Sequence, residues 1–165
     1  GFVPLKLWDN HVLGLRMTGA VGRSNFLNRE QFFIGGLPPQ EVFTAIINDT
    51  PLGGTYLRGF EPFAFGGEQF HVVTPSYRMP IVDLNKGFDT LPFYLGRLTF
   101  TAFTDVGSAF NGPVQDAPFQ VGVGAELRLS ATLGYSLPAS FQLGYAHGFG
   151  SQGIDDVYFF FGNTF

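Results

Sequence analysis

Between Phe119 and Ser130 every second residue is apolar. Phe119, Val121, Val123, Ala125, Leu127 and Leu129 share one parity, while Gln120, Gly122, Gly124, Glu126, Arg128 and Ser130 share the other. Side chains of a strand point alternately to opposite faces, so this stretch reads as a strand with one apolar and one polar face. A helix would scatter the same residues around its circumference. The pattern recurs in Val12–Gly22, Arg97–Ala109, Ser140–Phe149 and Asp156–Phe165. It is noisier in Gln69–Ile81, where Pro75 and Pro80 predict a bulge or weakened pairing, and weakest in Phe2–Trp8.

An amphipathic strand can bury either face, and composition decides which. Charged residues make up 13% of the chain, about half the usual quarter, while aromatics reach 17%, led by 21 Phe. A soluble sandwich would bury the apolar face and need charge outside, and this chain has little to offer. Mean hydropathy is +0.16, yet no window holds the roughly 18 unbroken apolar residues of a spanning helix. Hydrophobic overall without a hydrophobic run predicts an all-β, antiparallel transmembrane β-barrel of about seven or eight strands, lipid outside and polar residues in the lumen. A net charge of −4 gives a nucleic-acid partner no electrostatic support, and zero Cys removes disulfides and thiolate chemistry. Gly1–Trp8 has no basic start, apolar core or cleavage site, so if the protein crosses an inner membrane its targeting sequence is expected upstream or already removed.

The whole chain, residues 1–165, reads as one barrel domain with unequal connections. Asp9–His11 and Gly134–Leu137 are short turns, and Asn111–Pro118 and Gly150–Asp155 are mid-sized polar loops. Arg23–Glu68 is far longer, as functional loops are, and is expected on the extracellular side or folded into the lumen. Val82–Leu95 reads as a fairly long loop where a short periplasmic turn is expected. With a periplasmic C-terminus, seven strands would start outside the cell, whereas complete bacterial barrels have an even number. Two repairs are open: a larger barrel of which this is the C-terminal part, or a missed strand and a small eight-strand barrel.

Several short motifs sharpen this reading. Within the long loop stands Gly53-Gly54-Thr55-Tyr56-Leu57-Arg58-Gly59-Phe60, preceded by Gln31-Phe32-Phe33-Ile34-Gly35-Gly36. Downstream come Tyr77-Arg78-Met79-Pro80, Phe103-Thr104-Asp105-Val106-Gly107, Val121–Arg128 and the closing Phe161-Gly162-Asn163-Thr164-Phe165. In this order the motifs resemble the Arg-Gly-Phe/Tyr signature and its companions in the Omp85 superfamily, outer-membrane barrels that insert or translocate other proteins. The resemblance spans Gln31 to Phe165 and falls in the last half of a sixteen-strand barrel. It implies location in the bacterial outer membrane, contact with the lipid bilayer and with client outer-membrane proteins, no enzymatic activity and no cofactor.

Carried over, the resemblance implies a loop clasp. Arg58 would fold into the lumen and meet Asp105, Gly59 would permit the turn, and Phe60 would wedge against the wall. Ser76 stands where the family often has Glu, which leaves Arg58 one expected carboxylate partner rather than two. Phe161, Gly162 and the terminal Phe165 would form the last strand's assembly signal and a lateral seam for client strands. Arg16, Arg78, Arg97, Glu126 and Arg128 read as ordinary members of an inward polar network, and Asp105 taken alone could be one more. His11, His71 and His147 lack metal-ligand spacing, no Gly-x-Ser-x-Gly elbow is present, and Gly122-x-Gly124 lies inside a strand pattern. Three roles remain open: assembly or translocation of proteins, a structural anchor for a further domain, and a passive pore, against which the inward loop argues. Free sheet edges would also permit self-association.

Overall fold

The computed structural model describes residues 1–4, 10–22, 32–36, 56–88, 91–114, 117–134 and 136–162. Nine strands are present among them: β1 (Phe2–Pro4), β2 (Val12–Val21), β3 (Phe32–Ile34), β4 (Phe65–Gly67), β5 (Gln69–Phe88), β6 (Leu91–Phe110), β7 (Gln120–Leu133), β8 (Leu137–Gly148) and β9 (Asp155–Gly162). There is no helix long and apolar enough to cross a membrane among the described residues. The main sheet has 7 strands in the order β1-β2-β5-β6-β7-β8-β9, antiparallel throughout. Each strand expected from alternation has its counterpart there. Among the described residues the sheet is open, with β1 and β9 at its edges.

Its two faces are opposite in character. One face exposes Leu13, Leu15 and Met17 of β2, Leu127 of β7, Leu143 and Tyr145 of β8, and Val157 and Phe159 of β9. The other buries Thr74, Thr101, Asp105, Ser140 and Gln142 together with Phe103, Ala146, Tyr158 and Phe160. Exposed apolar side chains thus crowd one face, while a carboxylate, an amide and hydroxyls are buried among aromatics on the other.

Rows of residues run across the polar face. Arg78, Thr101, Glu126, Gly144 and Tyr158 lie in one register row, and Ser76, Phe103, Gly124 and Ala146 in the next. A smaller sheet pairs β3 with β4, and Ile34 joins Leu57, Phe60, Phe70, Val72 and Ala109 in a buried cluster. The long connection is therefore not a plain loop over 23–68. Its aromatic ends, Phe32–Ile34 and Phe65–Gly67, pair with each other and pack against β5 and β6.

Val82–Leu95 also differs from expectation: it is the far end of a hairpin. β5 and β6 each run 20 residues, roughly 65 Å at the usual rise, well beyond the ~30 Å of a bilayer core. The register shifts after Pro80, after Asp83 and at Gly87, and Asn85 takes a positive φ of 44°. The first of these bulges lets the strand pass Pro80, while Pro75 keeps regular register with Leu15. Polar residues concealed the strand because Val82, Asp83, Asn85 and Lys86 are exposed there, and no face needs to be apolar. Arg97, expected in the inward network, pairs with Asp83 across this hairpin.

Candidate functional site

Arg58 leaves the long connection and lies across the polar face of β6 and β7. Its Nε donates to Asp105 Oδ2 at 2.7 Å and its Nη2 to Asp105 Oδ1 at 3.0 Å. The backbone N–H of Arg58 adds a bond to Oδ2 at 3.2 Å. This is the planar fork-to-carboxylate geometry that a lysine could not reproduce. Thr74 Oγ1 donates to Asp105 Oδ1 at 2.7 Å, so both oxygens of a carboxylate with 0% exposure are bonded.

The remaining guanidinium nitrogen corrects the expectation drawn from Ser76. Arg58 Nη1 reaches Glu126 Oε1 at 2.5 Å, and Tyr158 Oη donates to the same oxygen at 2.6 Å. Arg58 therefore has two carboxylate partners. Ser76 donates toward the Gly14 carbonyl at 3.5 Å and is not among them. Glu126 already stood on the inward parity of its strand; what the sequence lacked was the register that sets it beside Thr101, one row from Phe103. The Phe103 ring completes the site, with Arg58 Cζ 3.2 Å from its centroid, a stacked cation–π contact. Burial opposes the charge on Arg58, but the hydrogen bonds and charge of Asp105, then the charge of Glu126, outweigh it and hold the guanidinium above its ordinary pKa.

The backbone of this segment lies so close to the sheet that side chains must be missing beneath it. Gly59 has a φ of +85°, where a Cβ is strained, and an added Cβ would stand 2.4 Å from the Gly148 nitrogen. A Cβ at Gly122 would stand 2.1 Å from the Arg58 carbonyl oxygen. The Gly59 carbonyl accepts from the Ile154 N–H at 2.9 Å, and Phe60 bridges to Gly153. Phe60 is buried, 5.3 Å from Phe65 in an edge-to-face pair. Gly122→Ala is expected to displace this segment, with a loss of about 1–3 kcal/mol from overpacking plus part of the ion-pair energy. Chemical denaturation checks it, with Gly87→Ala, a strand glycine with open space for a Cβ away from the site, as the comparison.

The residues expected to form a seam are placed only in part. Phe161 of β9 stacks on Phe141 of β8 with centroids 4.9 Å apart, and the Gly162 carbonyl accepts from Ser140 Oγ at 3.4 Å. Phe165 lies outside the described residues, as do Gly53–Thr55 and Gln31. No three His, Asp or Glu side chains among the described residues gather closely enough to hold a metal ion. The arrangement is a clasp: it fastens a long connection to a sheet. Comparison with family models, with curated proteins and with solved structures finds no match for this chain.

Proposed function

We propose that this chain forms barrel wall of the Omp85 type in the bacterial outer membrane and contributes to the insertion or translocation of other proteins there. The observation that carries the reading is the inverted sheet: an apolar face turned outward, a polar face fastened inward by Arg58, and a last strand with a free edge. Lipid satisfies the first face but cannot satisfy the backbone groups along a free edge. A client strand, or a strand of another copy, can pair there by β-augmentation. The motif order from Gln31 to Phe165 supports the same reading by resemblance.

The test is reconstitution of the chain into phospholipid vesicles with a photo-crosslinker at Val157 on β9, followed by addition of an unfolded outer-membrane barrel. The expected result is faster client insertion than into empty vesicles, with crosslinks from β9 to the client. A chain that integrates into the vesicles but neither speeds insertion nor crosslinks would be an anchor, and the assembly role would fall. A chain that stays monodisperse in water without detergent would sink the membrane reading altogether.

A further inference from the structure

Beside the Arg58 clasp, on the same polar face, lies a cavity of about 370 Å³ whose wall includes Arg16, Arg78 and Arg128. These arginines come from β2, β5 and β7, so the sheet register rather than local sequence brings them together. The Arg128 guanidinium donates from Nη2 to the neutral amide oxygen of Gln142 at 2.8 Å. The Arg78 guanidinium lies 5.9 Å from the Phe2 ring centroid. Among the described residues no carboxylate lies within ion-pair distance of Arg16, Arg78 or Arg128. Glu126 is the acidic residue in the cavity wall, and its contacting oxygen is taken by Arg58 and Tyr158. The cavity therefore carries a surplus of positive charge in a chain whose net charge is −4.

We propose that this cavity is a binding site for a phosphate group, either free or on the head of a lipid. Three arginines lining one cavity suit a dianion with several acceptor oxygens, because a guanidinium fork can engage two of them. A single carboxylate would leave most of that charge unanswered. The volume falls at the small end of ordinary ligand sites, room for a phosphate and a short attached group. Phe2 and Phe103 in the wall give that group an apolar surface. The site shares Arg58, Thr74, Phe103 and Glu126 with the clasp but does not depend on the assembly role, since it needs only the folded sheet.

The test is calorimetric titration of the folded full chain at fixed ionic strength with two probes, inorganic phosphate and dihexanoyl phosphatidate. Saturable binding is expected to fall about tenfold in each of Arg16→Gln, Arg78→Gln and Arg128→Gln, as for loss of one charge-assisted contact. Arg97→Gln, outside the cavity, is expected to bind as the parent does. Binding of both probes identifies the phosphate as sufficient; binding of phosphatidate alone identifies a lipid headgroup as the source. The proposal is overturned if neither probe binds saturably, or if binding survives all three substitutions in chains that unfold at the parent's denaturant midpoint. Because these readouts are taken on folded protein without any client, they stand or fall separately from client insertion.

Discussion

Asp105→Ala is expected to destabilise the folded sheet by about 3–5 kcal/mol, the usual cost of deleting one member of a buried ion pair. The loss comes less from the attraction removed than from what remains. Arg58 would keep its burial and its contact with Glu126 but lose three hydrogen bonds to one carboxylate. Thr74 Oγ1 would lose its acceptor as well. Asp105→Asn separates charge from shape: it preserves the size and one carbonyl acceptor, so it should lose less than alanine. Denaturant titration of the single variants and of Arg58→Ala/Asp105→Ala gives the coupling energy. If the two single losses simply add, the clasp is not an energetic unit. A charge-swapped Arg58→Asp/Asp105→Arg chain that recovers nothing would point the same way.

A charge placed on the opposite face should reveal which solvent that face meets. Leu127 is exposed near the middle of β7. If hydrocarbon covers it, Leu127→Arg is expected to cost about 2–4 kcal/mol, the penalty measured for arginine near the midplane of membrane barrels. Val21, exposed at the end of β2, should tolerate arginine with a loss of about 0–1 kcal/mol, as near an interface. Unfolding from phospholipid vesicles by guanidinium measures both. In water an exposed Leu→Arg change shifts stability by about 0.5 kcal/mol at most, so two equally small losses would remove lipid from the account.

Legibility in the sequence followed the strength of local patterning. β7 was plain because each of its residues obeys the alternation, and β2, β8 and β9 because nearly all of theirs do. The outer ends of β5 and β6 were hidden by the same logic, since a hairpin exposed on both sides has no reason to alternate. The ribbon of β3 and β4 escaped because strands of 3 residues are too short to carry a period. At the site, Arg58, Gly59, Phe60 and Asp105 were legible through motif resemblance. Glu126, Tyr158, Thr74 and Phe103 join them through register across β5, β6, β7 and β9, a relation between strands that no single segment encodes.

Arg58 is separated by 47 residues from Asp105 and by 68 from Glu126. Closing chain segments that long carries a large entropic penalty unless intervening pairings have already shortened the path. β6 and β7 must first align to set the two carboxylates side by side, and β8 must join before Gly148 can receive Gly59. Engagement of the arginine is therefore expected to come late in folding, so that an engaged arginine would mark a wall whose neighbouring strands have already found their places.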